Sequence, residues 1–242
     1  MHEIKTTDFS LLVAVIASFF GAVTITVLLL QPVNYHTNFT FTPTLIGSIY
    51  AAVCVLGICA VFFPKKCQRT FMFKGGIKSS LDQSVTPKMA QYSGHHPDCL
   101  KFSANRIKIR NTVLCAACSG LLVGAVVVLV GAVFYFFIAY KFLWSNPWIL
   151  VGSNAGMLLG LFQVKLTGYF KLAVNALFVF CSFVTLVVTD IVGKSLFIDL
   201  YVLGLIVFFL ATRILLSEFY NKRTCRQCKQ CLYGQGDFLR NL

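Results

Sequence analysis

Six blocks of apolar residues, each of about 20 residues, constrain this chain more than any other feature of its sequence. They cover residues 9–30, 44–63, 114–140, 148–164, 172–192 and 196–216. A helix of about 20 residues crosses the roughly 30 Å hydrocarbon core of a bilayer. Backbone groups in lipid must bond within the segment, and no block alternates as an outer-membrane strand does. The sequence therefore predicts an all-α, polytopic membrane bundle with about six transmembrane helices, of which the fourth is the shortest.

The basic residues predict the orientation of this bundle. Of the 21 Lys and Arg residues, all but Lys141 and Lys194 fall on one side of the predicted spans. Because loops rich in Lys and Arg stay in the cytoplasm, we expect a plasma-membrane protein with both termini cytoplasmic. The net charge of +13 then reflects residues that lie beside anionic lipid headgroups. We expect these lipids as partners and no nucleic acid, since aromatic residues are not interleaved with the basic ones.

The blocks divide the chain into four regions. We expect a transmembrane hairpin over residues 1–63, a basic cytoplasmic loop over 64–113, four transmembrane helices over 114–216 and a cysteine-rich cytoplasmic tail over 217–242. The loop is near the length below which a metal or a partner is needed for a stable fold. A metal bound in its second half would supply the missing core.

The second half of the loop contains a Cys/His cluster. His95, His96 and Cys99 are followed, after fifteen residues, by Cys115 and Cys118 at the start of the third block. Two ligand pairs separated by such a spacer are typical of zinc sites on two knuckles. Thiolate and imidazole ligands also favour zinc over hard cations such as magnesium. The sequence therefore predicts a structural zinc site in a small cytoplasmic knuckle.

Thiol–disulfide chemistry is the alternative for Cys115 and Cys118. A Cys-x-x-Cys pair at a helix N-terminus is placed where the helix dipole stabilises a thiolate. The predicted orientation puts the pair in the reducing cytoplasm, where stable disulfides are rare. Redox chemistry also leaves the neighbouring His95, His96 and Cys99 unexplained.

The tail contains a second cluster, formed by Cys225, Cys228 and Cys231. With Cys67 or a spare histidine as fourth ligand, it predicts a second zinc site. An iron–sulfur cluster is an alternative, although the fourth cysteine and following proline of the ferredoxin pattern are absent. Three free or lipidated juxtamembrane cysteines are the remaining alternative.

Small residues recur at four-residue spacing in the third and fourth blocks. The series comprises Gly120 and Gly124, and then Gly152, Gly156 and Gly160. Because such series let helix backbones approach closely, we expect these two helices to pack tightly. Ser153, Asn154 and Gln163 should then lie inside the bundle, as packing contacts or as a polar path for a small solute.

The ionisable residues in the last two blocks are predicted to lie at the membrane surface. Asp190, Asp199 and Arg213 are close to block ends, so we expect their side chains to reach the interface. Lys171 is assigned to the loop between the fourth and fifth blocks. Since charges at membrane depth mark ion and proton pathways, this placement argues against an ion-coupled transporter.

The segment from Gly94 to Gly124 resembles a family of uncharacterised prokaryotic multi-pass membrane proteins. In that family a Cys/His pair precedes a Cys-Ala-x-Cys-x-Gly motif that opens a transmembrane helix, as Cys115 to Gly120 does here. The His-His-Pro-Asp-Cys element is similar to that of archaeal members. Bacterial members have adjacent Cys and His, and an arginine where Ala117 stands. The resemblance implies a domain of unknown function, so it supports the site and names no activity.

Together these patterns predict a membrane scaffold or an accessory subunit of a membrane complex, or a homo-oligomer, rather than an enzyme. A thiol–disulfide or iron–sulfur electron-transfer protein is the alternative. A small-solute transporter that uses the glycine-rich helices is a further one.

Overall fold

A computed structural model describes residues 2–30, 42–62, 92–93, 96–97, 105–109, 112–138 and 146–226. Within these ranges the chain forms six α-helices and four short strands. The helices are α1 (His2–Leu30), α2 (Thr42–Phe62), α3 (Ala116–Ala132), α4 (Pro147–Leu161), α5 (Gly168–Gly193) and α6 (Leu196–Arg226). A π-helical turn over Val133–Phe137 continues α3, and a 3₁₀ turn over Phe162–Lys165 continues α4.

Five of these helices are long and apolar enough to cross a membrane. The candidate spans are Phe9–Leu30, Pro43–Phe62, Ala116–Phe137, Gly168–Gly193 and Leu196–Asn221. Many large apolar side chains point outward, including Phe170 and Phe197, as expected of a surface that faces lipid. The helical bundle predicted from the apolar blocks is confirmed, and it indicates a membrane protein.

The fourth block forms a helix that is shorter than a membrane span. Helix α4 has 15 residues, which gives a length of about 22 Å at 1.5 Å per residue. Its start is well defined, because the Asn146 side chain accepts a hydrogen bond from the Trp148 backbone N–H at 3.0 Å. The bundle therefore contains five full-length candidate spans and one shorter helix among the described residues.

Helix α5 forms the centre of the bundle. Its residues from Cys181 to Thr189 are all buried, and it contacts α1, α3, α4 and α6. The most extensive contacts in the described bundle join α3 to α5 and α4 to α5. The prediction that α3 and α4 pack tightly against each other is therefore wrong, since each packs mainly against α5.

The glycine series explains why α3 and α4 approach α5 so closely. A Cβ atom built on Gly120 would lie 2.3 Å from the Leu172 carbonyl oxygen. On α4, a Cβ built on Gly160 would lie 2.4 Å from the Phe178 ring. These positions accept only hydrogen, so the glycines serve close helix contact as the series predicts, with α5 as the partner.

Two small antiparallel ladders precede α3, and the all-α prediction did not include them. Strands β1 (Tyr92–Ser93) and β2 (His96–Pro97) form the first ladder. Strands β3 (Arg106–Ile109) and β4 (Thr112–Cys115) form the second, in which Arg106 lies opposite Cys115. Alternation of basic and apolar residues in β3 fits a strand with one buried face, and Ile107 is buried. The second ladder leads directly into α3.

Candidate functional site

Cys115 and Cys118 lie together where β4 meets α3. Cys115 ends the strand and occupies the N-cap position of the helix, with an extended backbone at φ −71° and ψ 120°. Cys118 is the third helical residue, and its thiol is hydrogen-bonded to that of Cys115. Both side chains are partly buried. The local fold therefore brings the two sulfur atoms of the Cys-x-x-Cys pair together at a helix N-terminus.

The other predicted ligands are not placed by the described residues. His95, Cys99, Cys67, Cys228 and Cys231 all lie outside the described ranges. For two more ligands only the backbone is described: His96 is in β2, and Cys225 is in the last turn of α6. Within the described ranges no group of three or more His, Cys, Asp or Glu residues could hold a metal ion. The complete ligand sets remain predictions.

Lys171 lies beside the cysteine pair, and the sequence did not indicate this. The apolar blocks predict a loop position for it, but it is in the first turn of α5 and only 6% of its side chain is exposed. Its Nζ donates a hydrogen bond to Asn105 Oδ1 at 2.9 Å, which connects α5 to the chain just before β3. Its charge lies within electrostatic range of both Cys115 and Cys118.

Arg213 on α6 is a further buried cation. The prediction that its side chain reaches the membrane surface is wrong, because only 3% of it is exposed. Its Nη2 donates to Gln163 Oε1 at 2.6 Å, and its guanidinium lies 4.6 Å from the centre of the Phe178 ring. Helix α6 continues to Arg226 rather than ending near residue 216. Arg213 therefore lies within the span instead of at its end.

Several polar atoms on or near the two cations have no hydrogen-bond partner in the described part of the chain. They are Arg213 Nε and Nη1 and Asn175 Oδ1, all fully buried. Among the described residues, no carboxylate forms an ion pair with Lys171 or Arg213. Both cations lie close enough to Cys118 to interact with it electrostatically. A thiol pair flanked by two buried positive charges is the main chemical feature at this end of the bundle.

An acidic group lies at the opposite end of the bundle. Tyr135 Oη donates to Asp190 Oδ2 at 2.6 Å, and the carboxyl groups of Asp190 and Asp199 are hydrogen-bonded to each other. Only 1% of Asp199 is exposed, and Asp190 is largely buried. The prediction that both carboxylates reach the interface is therefore wrong for Asp199. The end of α5 and the start of α6 therefore bring two carboxyl groups together.

A polar network crosses the middle of the bundle. Thr185 Oγ1 donates to Ser153 Oγ at 2.8 Å, and Asn154 Nδ2 donates to Thr26 Oγ1 at 2.9 Å. Ser153, Asn154 and Gln163 are all buried, which confirms their predicted position inside the bundle. The bonds from Thr185 to Ser153 and from Asn154 to Thr26 hold α1, α4 and α5 together as interhelical hydrogen bonds do.

Comparisons with protein-family models, with curated proteins and with solved structures found no match for this chain. The resemblance of residues 94–124 to a prokaryotic membrane-protein family therefore stays a prediction.

Proposed function

We propose that this protein is a multi-pass membrane protein whose Cys115–Cys118 pair forms half of a structural zinc site. The observation that carries the proposal is the contact between the two thiols at the junction of β4 and α3. Sulfur atoms that converge in this way, at the start of a rigid helix, can bind one ion at tetrahedral geometry.

The strand register supports a second pair of zinc ligands that can reach Cys115 and Cys118. Arg106 lies opposite Cys115, so the β3–β4 ladder returns the chain to the cysteine pair. Cys99 precedes Asn105 by six residues, and a chain of that length spans at most about 20 Å. Cys99 with His95 or His96 would then complete the tetrahedron. Zinc would supply the local core that a small module of two short ladders lacks.

The metal would fasten the cytoplasmic loop to the helix bundle. Such a module, exposed at the membrane surface among basic residues, suits a scaffold or an accessory subunit of a plasma-membrane complex. Its cytoplasmic position follows from the Lys and Arg distribution. A second zinc or an iron–sulfur cluster at Cys67, Cys225, Cys228 and Cys231 would lie on the same side.

The cysteine pair can be tested by serine substitution. Cys115→Ser and Cys118→Ser should each abolish zinc binding in detergent-purified protein, because three remaining ligands hold zinc poorly. Cys59→Ser is the matched control, since Cys59 is exposed on the apolar helix α2 and lies outside the proposed site. It should retain the zinc content and melting temperature of the parent.

The same proteins distinguish the zinc site from thiol–disulfide chemistry. Chelator should lower the melting temperature of the parent and of Cys59→Ser, but leave Cys115→Ser unchanged, because zinc stabilises only the form that binds it. Metal-free parent protein with a reversibly titratable Cys115–Cys118 disulfide contradicts the proposal. That result would favour a membrane thiol–disulfide protein instead.

A further inference from the structure

Arg213 is a charged side chain buried inside a candidate membrane span. It lies in the span Leu196–Asn221, before the last two turns, and only 3% of it is exposed. A guanidinium stays protonated in proteins, so this side chain carries a full positive charge. Charged residues within transmembrane segments either pair with another group of the protein or mark an ion site. The contacts of Arg213 distinguish these two cases.

The described contacts of the guanidinium supply no negative charge. Nη2 donates to the amide oxygen of Gln163 at 2.6 Å, and the guanidinium carbon lies 4.6 Å from the centre of the Phe178 ring. Nε and Nη1 are fully buried and have no hydrogen-bond partner within the described ranges. A neutral amide and a ring face leave these N–H groups and the charge of the side chain uncompensated.

The described carboxylates are not placed to balance Arg213. The acidic group lies at the opposite end of the bundle, and Glu218 is exposed five residues further along α6, on another face of the helix. On α1, Ser18 is hydrogen-bonded to Thr212, the residue before Arg213. The carboxylate nearest to this contact along α1 is Asp8, ten residues earlier and therefore about 15 Å away along the helix axis.

Close packing beside Arg213 limits the size of an ion that balances its charge. The Phe178 ring that the guanidinium covers also packs against α4, since a Cβ built on Gly160 would lie 2.4 Å from that ring. Helices α4 and α5 are therefore in contact at this level, and α6 contacts both. A polyatomic anion such as phosphate would bring several oxygen acceptors to a guanidinium with few free donors. A single-atom anion with one negative charge fits this environment better.

We propose that Arg213 binds one anion of the halide class within the helix bundle. An unpartnered guanidinium N–H group donates to the anion, and Gln163 and Phe178 hold the guanidinium in position. Binding converts an unpaired buried charge into a buried ion pair. The 3₁₀ turn that contains Gln163 reaches exposed Lys165 two residues later, which provides a short basic route to the site. The anion site does not depend on the proposed zinc site.

Thermal unfolding of the full-length protein in chloride, and in gluconate at equal concentration, tests this site. Gluconate is too large to enter the bundle, so the parent protein should melt about 3–6 °C higher in chloride at ten times its dissociation constant. Arg213→Gln should melt at the same temperature in both salts, because it has no buried charge to balance. Arg223→Gln is the matched control, since Arg223 is exposed on the same helix, and it should keep the parental chloride shift.

Equilibrium binding of radioactive chloride to the same purified proteins counts the bound ions. We expect about one chloride per chain for the parent and for Arg223→Gln, because one guanidinium balances one negative charge, and none for Arg213→Gln. Parent protein that binds no chloride overturns the inference and indicates that a group of the chain itself balances Arg213.

A fold readout keeps the comparison between variants valid. Circular dichroism establishes that each variant is helical before chloride is added. Equal chloride binding by the parent and by folded Arg213→Gln also overturns the inference, because the ion then binds elsewhere. If Arg213→Gln does not fold, Arg213→Met takes its place, since an apolar side chain of similar length can replace a buried charge.

Discussion

Replacing Gly120 by alanine tests whether close contact between α3 and α5 holds the bundle and its cysteine site together. The added Cβ would lie 2.3 Å from the Leu172 carbonyl oxygen and 2.7 Å from Asn175 Cβ. Ordinary contact needs about 3.4 Å, so the two helices must separate by roughly 1 Å. The obstacle is backbone rather than a flexible side chain, so rotamer change cannot relieve it. Overpacking of this kind costs about 1–3 kcal/mol.

Alanine also has the higher helix propensity, by about 1 kcal/mol, which offsets part of this cost. We expect a net loss of up to about 2 kcal/mol, or a melting temperature up to about 8 °C lower for a chain of this size. Differential scanning fluorimetry of the detergent-solubilised protein measures the shift. Zinc affinity should fall as well, because the first turn of α3 carries Cys118.

Gly152→Ala is the control for this prediction. Gly152 lies on α4, and a Cβ built there meets no atom within 4 Å. This variant should match or exceed the melting temperature of the parent. Equal tolerance of the two substitutions would refute the account of how α3 contacts α5.

Two further predictions concern the acidic end and the orientation of the bundle. Tyr135→Phe removes the 2.6 Å hydrogen bond to Asp190. Because a hydrogen bond to a charged group contributes about 1.5–3 kcal/mol, the melting temperature of this variant should be well below that of Tyr201→Phe. Among the described residues, the Tyr201 hydroxyl makes a single hydrogen bond, of 3.4 Å, to the Gly21 carbonyl. Equal loss of melting temperature in both variants would contradict a stabilising role for the Tyr135–Asp190 bond. For orientation, a membrane-impermeant thiol reagent applied to intact cells should label Asn146→Cys and not Arg223→Cys, and the opposite pattern would reverse the topology.

The helices were predictable because lipid imposes one rule on every span. Each apolar block had to be a helix of sufficient length, and the fourth, already the shortest, became α4. Burial of Ser153 and Asn154 also followed from the glycine series. That α3 and α4 both pack on α5 could not be predicted, because a glycine pattern identifies a contact face without identifying the helix that covers it.

The positions of the buried charges were not predictable from the sequence alone. Lys171 stands near a block boundary and resembles an ordinary loop lysine, yet tertiary contact with Asn105 and α3 covers it. The last apolar block ends at residue 216 and so predicts a surface position for Arg213, but α6 runs ten residues further. The last turns of α6 contain polar residues, so they continue the helix but do not belong to the apolar block. The end of an apolar block therefore comes before the end of the helix when polar residues continue that helix beyond the membrane span.

Metal analysis of the purified full-length protein tests the central claim most directly. The account predicts about one or two zinc ions per chain, retained through purification and removed only by chelator. A protein that contains no metal and holds Cys115 and Cys118 in a reversible disulfide would contradict it.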